Sequence, residues 1–168
     1  MKNKQEEFGR IYDHYVDKIY RFVYVKVNSR EVAEDLTSDS FLRCWQVYKN
    51  DQNGINNIQA FLYQIARNLV TDHYRIKGRT QTISTDDHVV SDPRHNIEET
   101  TKNKSDIDQV RIVLAGLNNK DYQDAVILRY VEDLSVSEIA EITGKTEENV
   151  RVLLHRALKS VKDKIEKC

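Results

Sequence analysis

Three sets of side chains in this sequence are spaced for recognition chemistry. Near the end of the chain stand Asn149, Arg151 and Arg156. Arg can pair bidentately with guanine, and Asn with adenine, in the DNA major groove. His155 and Lys159 lie beside them and suit phosphate contacts that set register. In mid-chain, Tyr63, Arg67, Thr71 and Tyr74 recur at helical spacing. Gln64, Asn68 and Arg75 flank them, and Lys77 and Arg79 follow. Rings interleaved with cations serve unpaired bases, which need surfaces to stack on and charges for their backbone. The competing reading packs Tyr63 and Tyr74 against neighbouring helices. The third set is Glu31, Asp35, Ser38, Asp39, Leu42, Trp45 and Gln46. It reads as an acidic helix face carrying a leucine and a tryptophan, the composition of a protein-binding patch with an aromatic anchor. Its acidity suits a basic partner. Contact with another helix of the same chain is the alternative.

Catalysis finds no comparable set. Asp13, His14, His73, His88 and His95 lack the spacing of a convergent acid–base pair or a metal site. Cys44 and Cys168 are not a metal-like pair and read as free thiols of a reducing compartment. No catalytic residue, metal or cofactor is expected, and the chain is not expected to be an enzyme.

The elements that must hold these residues are helices. The 168 residues include only five Gly and one Pro, so few turns are obligatory. Net charge is −1 with 32% charged residues, so any DNA-binding surface must come from local segregation of charge. No stretch is apolar for long enough to cross a bilayer, and Met1 to Glu7 has charge but no apolar core after it. A cytoplasmic protein is expected.

Periodicity predicts an all-α chain with two small helical domains, 1–79 and 106–168. Between them, 80–105 holds Pro93 and many turn-forming polar residues and reads as a flexible linker. The expected helices are 5–26 with a break near Asp17, then 30–49, 58–78, 106–116, 119–132, 135–143 and 147–166. Asn50 to Asn57 is the clearest loop. Ile58, Phe61, Leu62, Ile65 and Leu69 are expected to face inward, with Asp72 toward the packed side.

Ser135 and Glu138 have the spacing of a capping box, Gly144 suits a left-handed helix end, and Thr146 can cap the next helix. A short helix, a Gly-containing turn and a longer helix form a helix-turn-helix. On the last helix Val150, Leu153, Leu154, Ala157, Leu158, Val161 and Ile165 form the expected core stripe. Glu148, Val152, His155, Arg156 and Lys159 face the other way. Val152 is the one apolar residue among them.

The segments Ala33–Trp45 (AEDLTSDSFLRCW) and Phe61–Arg75 (FLYQIARNLVTDHYR) resemble conserved region 2 of the sigma-70 family. Tyr130–Gly144 (YVEDLSVSEIAEITG), with Asn149–Arg151 and His155–Ala157, resembles its region 4. Having only these two domains, the chain is similar to the extracytoplasmic-function (ECF) group. The resemblance implies a region 2 helical bundle and a region 4 helix-turn-helix. It implies a sigma factor that binds core RNA polymerase and directs promoter-specific initiation.

The residue roles it implies match the three sets. Glu31, Asp35, Ser38, Asp39, Leu42, Trp45 and Gln46 would bind the beta-prime clamp helices. The −10 element would be bound by Tyr63, Gln64, Arg67, Asn68, Thr71, Tyr74, Arg75, Lys77 and Arg79, with the loop before them helping to capture a flipped base. Thr146, Asn149, Arg151, Val152, His155, Arg156 and Lys159 would bind the −35 element. The implied partners also include the polymerase beta flap and an anti-sigma factor, without direct membrane insertion. The rival expectation is a stand-alone, dimeric helix-turn-helix regulator.

Overall fold

The structure is a computed structural model that describes residues 2–51, 54–81, 101–117 and 119–166; the side chains of 2, 79–81 and 101–107 are outside that description. Among the described residues all regular structure is helical. The chain divides into two compact units, Met1–Glu98 and Glu99–Cys168.

The first unit holds α1 (Lys2–Val27), α2 (Arg30–Asn50) and α3 (Ile58–Gln81). The break expected near Asp17 does not occur, and α1 runs through it. Asp17 is exposed, and an exposed Asp costs a helix only a few tenths of a kcal/mol (~0.5) when no Pro intervenes. α1 ends at Asn28, whose φ is +53°. Asn tolerates this left-handed conformation better than most residues. Ser29 then caps α2, its hydroxyl accepting from the Val32 amide at 3.3 Å. Before α3, the Asn57 side-chain oxygen accepts from the Ala60 amide at 3.1 Å. Gly54 in the preceding loop has φ +76°.

Every pair of these three helices is in contact. Ile19, Phe22 and Val23 of α1, Ala33, Phe41 and Cys44 of α2, and Leu62, Ala66 and Val70 of α3 are buried. Burying such side chains contributes about 1.5–3 kcal/mol for each large one. Phe61, Ile58 and Ile65, expected inside, are only half-buried.

The second unit holds α4 (Thr101–Ala115), α5 (Lys120–Val126), α6 (Val136–Thr143) and α7 (Glu147–Glu166). The helix expected over 119–132 instead changes type. After α5 a π-helical turn spans Ile127–Val131, closed by the Glu132 amide on the Ile127 carbonyl at 3.0 Å. Asp133 then takes φ +56°. The expected linker 80–105 is helical at both described ends, since α3 reaches Gln81 and α4 starts at Thr101; its remainder lies outside the described residues.

The α6 start has both hydrogen bonds of a capping box, Glu138 N–H to the Ser135 hydroxyl and Ser135 N–H to the Glu138 carboxylate, each 3.1 Å. Gly144 closes the helix at φ +69°. Val150, Leu154 and Ala157 of α7 are buried against the unit, as are Ile139 and Ile142 of α6. Leu158 and Ile165, expected in the core, are 44% and 63% exposed. The helices packed on α7 are α5 and α6. At 7 and 8 residues against 20, they are too short to cover its last turns.

Candidate nucleic-acid and protein interfaces

The acidic set lies on α2, whose buried side is Ala33, Thr37, Ser40, Phe41 and Cys44. Facing the other way, Glu31, Asp35, Ser38, Leu42 and Gln46 are exposed, and Asp39 and Trp45 are half-buried. Leu42 is 56% exposed. Ion pairs one turn apart temper the acidity: Arg43 meets Asp39 at 3.2 Å and Arg30 meets Glu34 at 3.0 Å. Both are exposed, so they contribute little to stability and remain exchangeable for a partner's charges.

Trp45 is oriented by α1. Its ring lies 5.1 Å from Phe8, and Phe8 also meets Tyr48 at 5.5 Å. The Tyr48 hydroxyl donates to the Glu7 carboxylate at 2.8 Å. This bond to an anion raises the Tyr48 pKa. Between α1 and α2 opens a groove of about 550 Å³ lined by Phe8, Gly9, Tyr12, Phe41, Leu42 and Trp45, among others. The share of α1 in this surface was missed from sequence. Its signal was Phe8 and Tyr12, one turn apart and both turned toward the α2 stripe.

The α3 set is more divided than expected. Tyr63 is not on an outer face; it is 1% exposed and meets Phe22 edge-on at 5.5 Å. The Tyr74 hydroxyl donates to the Lys26 carbonyl of α1. The reason is that α3 touches both α1 and α2. Its buried residues, Ala60, Leu62, Tyr63, Ala66, Leu69 and Val70, therefore span an arc of ~180° at the helical rotation of 100° per residue. Asn68 and Arg75 remain exposed, and Gln64, Arg67, Thr71 and Lys77 are half-buried. The Arg79 side chain is outside the described residues. Asp72 is exposed, contrary to expectation, and pairs with Arg75 at 3.7 Å. Partial burial and the nearby Lys77 charge lower the His73 pKa, favouring a neutral ring.

The α7 set is held most simply. The Thr146 hydroxyl accepts from the Asn149 amide at 3.2 Å and fixes the helix start. Thr146, Asn149, Arg151, Val152, His155, Arg156 and Lys159 are all exposed. Arg151 reaches back to Glu147 at 3.4 Å, an exposed pair that a phosphate or base can replace.

Among the described residues no three His, Cys, Asp or Glu side chains cluster as metal ligands. Cys44 is a free, buried thiol pushed up to about 11 by burial, hence protonated at neutral pH. Cys168 is outside the described residues. No helix among them is long and apolar enough to cross a membrane.

Comparison with known proteins adds a separate line. Residues 11–80 match the family described as Sigma-70 region 2, and residues 119–161 match Sigma-70, region 4. The ECF RNA polymerase sigma factor BldN of Streptomyces coelicolor is 34% identical over 161 residues. That alignment takes in 93% of this chain and 59% of BldN, so the chain spans about three-fifths of that relative. The ECF RNA polymerase sigma factor SigM of Bacillus subtilis is 27% identical over 162 residues, 90% of this chain and 91% of SigM. Among solved structures, the sigma factor RpoE of Bartonella quintana, in complex with the anti-sigma factor NepR, superposes with a TM-score of 0.76. The match is 21% identical and covers 96% of this chain and 98% of that one. This last likeness is one of fold.

Proposed function

The chain belongs to the sigma-70 family, in its ECF group, and from that membership we propose that it binds core RNA polymerase and directs it to promoters by holding their −10 and −35 elements. The observation that carries this reading is the presence of both matched segments, in order, in one chain. A stand-alone helix-turn-helix regulator would leave the first of them without a purpose.

The α2 face and its Trp45 anchor dock on the beta-prime clamp helices. The described half of the −10 surface is Asn68, Arg75, Gln64, Arg67, Thr71 and Lys77; Tyr63 is withdrawn from it because its ring is buried. Tyr74 is half-buried, with its hydroxyl anchored to α1. The exposed face of α7 enters the major groove at −35, which suits a capped helix whose outer side carries Asn, Arg and Lys. Each domain alone makes few phosphate contacts and binds weakly. Polymerase fixes the two domains in space, so the second contact forms at high effective concentration.

Bond formation belongs to the polymerase, and the chain is not itself an enzyme. It works in the cytoplasm, where polymerase and promoter are. An anti-sigma partner that masks these faces until a signal arrives is consistent with the fold shared with RpoE.

The test is in vitro transcription with purified core polymerase on a genomic promoter library, with and without the chain. Specific transcripts that need the chain, sharing upstream elements at two fixed positions, are the expected result. Their absence ends the proposal.

A further inference from the structure

On α7 the buried residues Val150, Leu154 and Ala157 define the inner side. At 100° per residue Val152 lies roughly opposite them. Glu148, Asn149, His155, Arg156 and Lys159 surround it, within about 60° on the helical wheel, and all are exposed. Val152 is thus a lone apolar side chain at the centre of a polar face, 45% exposed. It is also in the second turn of a helix whose start is fixed by Thr146.

When this face meets the major groove, the side chain at its centre is the one most fully removed from water. A valine there cannot satisfy a base donor or acceptor, and a polar group buried without a partner is costly. The major-groove edges of the four base pairs offer one apolar group, the C5-methyl of thymine. Valine also suits this contact because branching at Cβ leaves it essentially one rotamer in a helix, so its two methyls are already placed.

We propose that Val152 is a specificity-determining residue that reads a thymine methyl group in the −35 element. The base pair opposite it is therefore A·T in a fixed orientation, set by an apolar contact and not by a hydrogen bond. The inference rests on the assignment of α7 to the −35 element made above.

The experiment uses the full chain with core polymerase on a promoter found in the transcription assay. Each thymine of the upstream element, on both strands in turn, is replaced by deoxyuridine, which removes only the methyl. Promoter occupancy is then measured for the unaltered chain, for Val152→Ala and for Arg156→Ala. Val152 is exposed and Ala is the better helix former, so Val152→Ala retains the fold. One thymine position should lower occupancy by the unaltered chain about fourfold, the contribution of one buried methyl group. Val152→Ala should bind the thymine promoter about fourfold more weakly and should no longer distinguish the two bases.

A series in which no position responds, or in which Val152→Ala responds as strongly as the unaltered chain, overturns the proposal. If Arg156→Ala loses occupancy in that case, the −35 assignment stands and only the valine contact is wrong. If Arg156→Ala is also without effect, α7 does not hold this element and both readings fall.

Discussion

Tyr63 and Trp45 are both aromatic residues on helices next to candidate surfaces, yet their environments assign them opposite work. Tyr63 fills the junction of α1 and α3 against Phe22. Tyr63→Ala should cost about 3–5 kcal/mol of stability, as removal of a buried ring does, measured by urea denaturation of the full chain. A stable Tyr63→Ala protein that had lost only promoter opening would return this residue to the DNA surface. Trp45 leans on Phe8 at 5.1 Å but still lines an open groove beside exposed Leu42. Removing such an anchor should weaken core polymerase binding at least tenfold (roughly 1.4 kcal/mol or more). Fluorescence anisotropy of labelled Trp45→Ala chain would read this, with helix content unchanged by circular dichroism. Equal affinity for core would refute the α2 assignment.

The orientation of α7 is set by the elements before it. The capping box at Ser135 fixes where α6 begins, the left-handed Gly144 where it ends, and the Thr146 cap where α7 begins. Ser135→Ala should lose about 1 kcal/mol. Gly144→Ala, which must adopt φ +69°, should lose about 1 kcal/mol as well through conformational strain, although a Cβ there meets no neighbour. Thermal unfolding of the full chain checks both. A Gly144→Ala protein as stable as the parent would show that the turn relaxes to another conformation. The π-helical turn Ile127–Val131 belongs at this scale too. It adds a residue to the helix path just before α6 and buries Ile127 and Leu128.

Charge is balanced over the whole molecule, with a net −1. Attraction to DNA therefore depends on segregation, with acids on α2 and cations on the outer side of α7. Promoter binding by the polymerase complex should weaken with salt through release of counterions from phosphates. Lys159→Ala should reduce the slope of log affinity against log salt by about one, and by the same amount on all promoter sequences. Titrations at several salt concentrations measure this. A steeper or unchanged slope would mean that Lys159 does not touch phosphate.

Local rules made much of this protein readable before any tertiary information. The all-helical class follows from periodicity and scarce Gly and Pro, though not the π-helical turn at Ile127–Val131, and the caps of α6 and α7 follow from residues within four positions of the bonds they make. The outer face of α7 was readable for the same reason: the helix packs along one stripe, so its exposed side is the complement of that stripe. Tertiary packing decided the rest, because burial depends on how many neighbours an element has. Two neighbours widened the buried arc of α3 and enclosed Tyr63. Short partners left Leu158 and Ile165 of α7 in solvent. The approach of α1 to α2 turned Phe8, Gly9 and Tyr12 into walls of the groove beside Trp45, a juxtaposition of residues more than thirty positions apart that no local spacing encodes.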